Sequence, residues 1–215
     1  LLMAPRDAAG VMLPILLCMD VVAVYMYRKE CNWSILRIML PGAAIGTIIG
    51  WVLWTVVSDA VVLLMVGVIT LLFVLDAIIP WRKKLEGLPP SKPWGAFWGG
   101  LAGFTSFISH TGGPPFQIYA LPLRMKPAVY AGTSAFFFAI VNTSKLVPYY
   151  FLGQLNVHNL TLSAMLAPVG IMGVLLGVYL VRRISAKLFY QIAYWLIFIL
   201  AFKLIWDGIS GIMAG

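Results

Sequence analysis

Charge is scarce in this chain. Lys, Arg, Asp and Glu make up 10% of its 215 residues, against 62% apolar ones. A soluble domain carries about 25% charged residues, so a globular enzyme in water is excluded. Cysteine is nearly absent. Cys18 and Cys31 have no CxxC spacing, which rules out a disulfide framework and a thiolate metal centre. Cys18 reads as a small apolar residue within a span. Histidine is equally rare: only His110 and His158 occur, with no HExxH or comparable cluster. An integral-membrane enzyme therefore lacks a nucleophile–base pair or metal ligands. No Walker sequence is present, so the chain does not drive work with its own ATPase. Neither a metal nor a cofactor is called for. Short alternating segments are also missing, which argues against an outer-membrane barrel. The net charge of +8 is split among short loops between apolar runs. That is the positive-inside pattern and not a nucleic-acid stripe.

What is there is a succession of runs of roughly 20 apolar residues, the signature of a polytopic helical membrane protein. They are Ala8–Tyr27, Ile38–Val57, Ala60–Ile79, Val129–Phe151, Leu160–Val181 and Leu188–Trp206. Asp20, Asp76, Lys145 and Lys203 are the charges inside or near the ends of these runs. Trp33, Trp51, Trp54, Trp81, Trp94, Trp98 and Trp206 read mostly as interfacial belt residues.

One apolar stretch cannot be a continuous helix. Phe104 to Gln117 reads Phe-Thr-Ser-Phe-Ile-Ser-His-Thr-Gly-Gly-Pro-Pro-Phe-Gln. Gly112 and Gly113 are poor helix formers, and Pro114 and Pro115 lack backbone donors. Proline suits a first helical turn, so a new helix is predicted to start there. In a membrane, irregular backbone survives only where protein buries it or where it lines a cavity. Such broken helices are where transporters bind solutes, with helix N-termini facing anions.

The chain repeats itself. Pro41, Gly46 and Gly50 match Pro168, Gly173 and Gly177 at an offset of 127, as does Ser58 with Ser185. Asp20 aligns with Asn142, and Gly10 with Gly132, at an offset of 122. The Pro-x4-Gly-x3-Gly pattern places two glycines on one helical face and suits close helix packing. Residues 1–80 form the first repeat, 81–93 a cytoplasmic linker, and 94–215 the second repeat.

Charge then orients the copies. With Arg82, Lys83, Lys84 and Lys92 inside, every basic residue but Arg6, Lys145 and Lys203 falls on the cytoplasmic side, on one condition. Residues 94–123 must enter and leave by the same face, as a re-entrant hairpin. Its long arm reaches about 24 Å and its short arm about 13 Å, near the midplane of a core roughly 30 Å thick. The expected fold is all-α and polytopic. It has two inverted repeats, each of three full transmembrane helices plus a re-entrant, broken helical hairpin. The topology implies a first hairpin upstream of Leu1, missing from this chain, whose N-terminus carries no methionine.

These residues resemble a known family. Ser-His-Thr-Gly-Gly-Pro-Pro-Phe-Gln-Ile-Tyr-Ala-Leu-Pro (109–122) is similar to the second-half signature of the sulfite exporter TauE/SafE family. So are Ala-Gly-Thr-Ser-Ala-Phe-Phe-Phe-Ala-Ile-Val-Asn-Thr-Ser-Lys-Leu-Val-Pro-Tyr-Tyr (131–150) and Leu-Gly-Gln-Leu (152–155). The repeated Pro-x4-Gly-x3-Gly resembles the family's second span in each half. The family's first half opens with a glycine-rich break that has no counterpart here. The resemblance implies transport of small sulfur-containing anions, such as sulfite or organosulfonates like sulfoacetate, across the bacterial inner membrane. Another small anion, such as thiosulfate or a carboxylate, is the alternative.

A sulfonate is compact, anionic and rich in acceptors. Ser109, His110, Thr111, Gly112, Gly113, Phe116 and Gln117 are the donors expected at the hairpin tip, with the amides of Gly113, Phe116 and Gln117 foremost. His110 either meets the anion and couples it to a proton or satisfies a tip carbonyl. Ser134, Phe138, Asn142 and Lys145 share a helical face, and a polar stripe in lipid should turn inward. Lys145 either balances substrate charge or snorkels. Thr133 and Ser134 either bind substrate or bond back to helical carbonyls. Asp20, an acid within a span, is a candidate proton carrier or a partner for Lys145. Proton coupling and a homo-oligomer are both compatible with the sequence.

Overall fold

The computed structural model describes residues 5–78 and 90–214. Residues 81–89 of the expected linker, Trp81 among them, and the side chains of Arg6 and Asp76 lie outside the described residues. Nine α-helices account for most of the described chain, which contains no strand. They are α1 (Pro5–Met26), α2 (Trp33–Val52), α3 (Asp59–Ile78), α4 (Lys92–Ser109), α5 (Gly113–Ala120), α6 (Pro127–Ser144), α7 (Leu146–Phe151), α8 (Val157–Arg183) and α9 (Ala186–Ala214). A 3-10 turn, Leu121–Leu123, follows α5. Among the described residues, α1, α2, α8 and α9 are long and apolar enough to cross a membrane. At 1.5 Å per residue, the 27 residues of α8 reach about 40 Å.

The ends of α8 show local chemistry at work. Asn156 caps its start by accepting from the Asn159 amide at 2.9 Å. Arg182 and Arg183 occupy its last turn, where cations favour the helix dipole.

The helices gather into two compact units that cut across the repeat boundary. One holds residues 1–36 and 127–184, the other 37–126 and 185–215. In the first unit, α1 packs against α6 and α8. Two close approaches in it are reciprocal. A Cβ at Gly10 would stand 2.7 Å from the Gln154 carbonyl oxygen, and one at Gly132 would stand 1.8 Å from that of Glu30. Gly10 and Gly132 are repeat counterparts, and each receives the loop that follows its counterpart's apolar run.

In the second unit, α3 lies against α9, and α4 sinks into α2. A Cβ at Gly46 would meet the Gly100 carbonyl oxygen at 1.9 Å, and one at Gly99 would meet that of Met39 at 2.2 Å. Gly50 lies under Phe107. Without lipid-phase hydrophobic drive, this backbone-to-backbone contact is what associates the helices. Gly173 and Gly177 behave differently: a Cβ added at either would meet nothing described within 4 Å. Close packing expected of both glycine pairs is therefore met in α2 and not in α8. Trp54, expected in the interfacial belt, is instead buried with its ring edge-on to Phe107 at 5.6 Å.

The run Val129–Phe151, expected as one helix, is broken. α6 ends at Ser144 and α7 begins at Leu146. Pro148 has no N–H for the Ser144 carbonyl, which a continuous helix would require. The Lys145 amide turns back to Asn142 O at 3.1 Å, tightening the last turn.

Candidate functional site

The hairpin is built by its own sequence. α4 stops because His110 adopts a left-handed conformation, φ 53°, uncommon for a non-glycine residue. Its amide still bonds Ser106 O at 3.3 Å, and that of Thr111 reaches Thr105 O at 3.3 Å. Thr105 is fully buried. Its hydroxyl donates to Leu101 O at 2.8 Å and lies 3.3 Å from Thr111 O. Ser109 Oγ and Thr111 Oγ1 are 2.8 Å apart. The tip is thus a hydroxyl-stitched turn, and Thr105 is a structural member that sequence reasoning passed over. α5 then runs back along α4. Tyr119 Oη donates to Ser91 O at 3.2 Å, so the end of the short arm meets the start of the long one.

At the start of α5, Gly112 and Gly113 carry the amides that the helix itself does not use, and the prolines carry none. The Phe116 amide, expected to face a solute, instead closes the first turn on Gly112 O at 3.2 Å. The Phe116 side chain is fully buried. Gln117 folds toward the helix start: its Nε2 lies 3.7 Å from where a Gly113 Cβ would stand. The donors gathered at this end are therefore Gly112, Gly113 and the Gln117 side chain, beside the half-buried hydroxyls of Ser109 and Thr111. His110 is half-buried as well.

The other compact unit holds a polar chain of its own. Asn142 Nδ2 donates to Asp20 Oδ2 at 2.7 Å, and Lys145 Nζ donates to Asn142 Oδ1 at 3.0 Å. One amide thus serves both charges, and the two contacts fix which way it points. Lys145 is 0% exposed and Asn142 4%. Lys145 therefore does not snorkel; it sits at the break between α6 and α7, drawn inward. Asp20, its partial exposure notwithstanding, is the acid of this chain, reached through its repeat counterpart.

Thr133 is bonded within its own unit. Thr133 Oγ1 donates to Val129 O at 2.6 Å and accepts from the Asn32 amide at 2.9 Å. This hydroxyl pins the α1–α2 loop to α6. Ser134 and Phe138 are half-buried on the same helix. Among the described residues, no group of three or more His, Cys, Asp or Glu could hold a metal ion.

Comparison with known proteins gives one positive result. The family model described as "Sulfite exporter TauE/SafE" matches residues 1–204. No curated protein matches the chain, and no solved structure does.

Proposed function

The chain belongs to the TauE/SafE sulfite exporter family, a family of membrane transporters of sulfur anions, and from that premise we propose a specific working mode. It is a secondary transporter or facilitator that moves sulfite or a small organosulfonate such as sulfoacetate across the bacterial inner membrane, in the direction of export. The observation that carries this reading is the buried Lys145, held by Asn142 against Asp20. A lysine inside a membrane protein is costly unless it is paired or used. Its ammonium has three donors, and Asn142 takes one of them. An oxyanion entering this cluster would exchange with the present partners of the ammonium, and Asp20 would accept a proton to keep the cluster near neutral. Transport would then be proton-linked.

The hairpin offers an independent anion-facing element. The amides of Gly112 and Gly113, with Gln117, Ser109 and Thr111, supply neutral donors at the positive end of α5. Residues 94–123 would dip into the bilayer and return, and the two repeats would be inverted with respect to each other.

Flux in proteoliposomes tests the reading. Saturable uptake of sulfite or sulfoacetate, accelerated by an imposed proton gradient, is the expected result. Asp20→Asn should retain flux down a substrate gradient and lose the acceleration. Equal flux of acetate, or none with any sulfur anion, would overturn the substrate assignment. Saturable flux of thiosulfate alone would point to uptake of a different anion.

A further inference from the structure

The end of α1, the loop after it and the end of α8 line a half-open cavity of about 340 Å³, bounded by Met26, Arg28, Lys29, Glu30 and Arg182. Three cations face one carboxylate there. Arg182 is held in place on two sides: its Nη2 donates to Met26 O at 2.8 Å and lies 3.3 Å from Glu30 Oε2. Arg28 donates to Tyr25 O at 2.9 Å. Among the described residues, Lys29 has no hydrogen-bond or ion-pair partner. The cavity therefore carries two cations in excess of its one acid, and it is large enough for a ligand, since small-molecule pockets start at roughly 300 Å³.

A second observation places the cavity at a particular depth. Three arginines lie over tyrosine rings at this end of the two helices. Arg28 is 4.6 Å from the Tyr25 ring, Arg183 5.0 Å from Tyr179, and Arg182 5.8 Å from Tyr27. Tyrosine and arginine paired at the end of an apolar helix mark the headgroup level of a bilayer. The helix surfaces leading to that level are apolar and outward-facing. Val21 on α1, and Met172, Leu176 and Leu180 on α8, are all exposed.

We propose that this cavity binds the phosphodiester headgroup of an anionic phospholipid from the adjoining leaflet, its acyl chains lying along α1 and α8. A basic pocket between membrane helices is suited to an anionic headgroup. The apolar approach is what distinguishes a lipid from a free phosphate, which has no use for it. The site stands apart from the Asp20–Asn142–Lys145 cluster and does not depend on the transport reading.

The test is lipid binding to the purified protein in mild detergent, read by native mass spectrometry. Phosphatidylglycerol, phosphatidylcholine and glycerol phosphate are the probes. Phosphatidylglycerol should bind at least tenfold more tightly than phosphatidylcholine, and glycerol phosphate should not compete at equal concentration. Removing one cation, by Arg28→Gln or Lys29→Gln, should weaken phosphatidylglycerol by roughly fivefold. Glu30→Gln should strengthen it, since only the carboxylate is lost and the Glu30 backbone against Gly132 stays. Lys187→Gln, outside the cavity, should change nothing. Equal binding of the two lipids overturns the proposal. Competition by glycerol phosphate overturns it in favour of a soluble anion. A loss with Lys187→Gln as large as with Arg28→Gln reduces it to general surface charge. Failure of Glu30→Gln to strengthen binding counts against it even where the cation variants do not fold.

Discussion

The proposed transport mode leans on Lys145 more than on any other single residue. It is fully buried, and Asn142 links it to Asp20. Lys145→Met should lower sulfite flux at least about thirtyfold, the loss that truncating one partner of a buried charged pair brings. Folded yield should persist, because Asp20 keeps its amide donor from Asn142. Asp20→Asn by itself removes the carboxylate that Asn142 links to the Lys145 ammonium and should cut folded yield, so its flux is compared per folded protein. The double variant Asp20→Asn, Lys145→Met should restore that yield without restoring flux, which size-exclusion profiles and proteoliposome flux would show together. A double variant as poorly folded as Asp20→Asn would mean that the two charges do not balance each other.

Two helical devices act at the scale of the element, one in each compact unit. The first is the interruption at Lys145, which follows from the missing Pro148 N–H. Pro148→Ala lets α6 run on into α7 and moves the lysine off its present register. The expected result is a more heat-stable protein with at least tenfold weaker transport, by thermal scan and flux assay; unchanged transport would make the break incidental. The second is the glycine seam between α2 and α4. Gly46→Ala drives a methyl group to within 1.9 Å of the Gly100 carbonyl oxygen. Overpacking of that kind costs about 1–3 kcal/mol, so the thermal midpoint should fall by roughly 5 °C. Gly173→Ala, its repeat counterpart, meets open space and should leave the midpoint where it is. The same motif thus has two consequences, decided by what lies opposite.

Across the whole molecule, the proposal of a dip into the bilayer has a direct consequence. Lys92 opens α4, and Lys126 follows the 3-10 turn beyond α5. Single cysteines at these two positions should react with a membrane-impermeant maleimide from the same side, and a cysteine at Asp59 from the opposite side. Labelling of 92 and 126 from opposite sides would mean that residues 94–123 cross outright. The contact Tyr119–Ser91 is compatible with the two arms lying side by side, and the labelling supplies the membrane reference.

The sequence by itself determined what is local. Low charge and long apolar runs dictate a membrane solvent, because every buried backbone group must bond within its own helix. Gly112, Gly113, Pro114 and Pro115 end one helix and begin another whatever surrounds them. Pro148 carried an equally local signal for the break at Lys145, but it was hidden inside a continuous apolar run. Spacing also brought Asn142 and Lys145 to one face, and the offset of 122 paired Asp20 with Asn142. Their physical contact was beyond reach, since it joins residues 122 apart through helix packing. Only the tertiary structure decided that the Thr133 hydroxyl receives the Asn32 amide, that Trp54 is buried on Phe107, and that Gly46 is covered while Gly173 is not. Each of these depends on which surface lies opposite, and a propensity, which describes a residue's own backbone, holds no information about its neighbour across the interface.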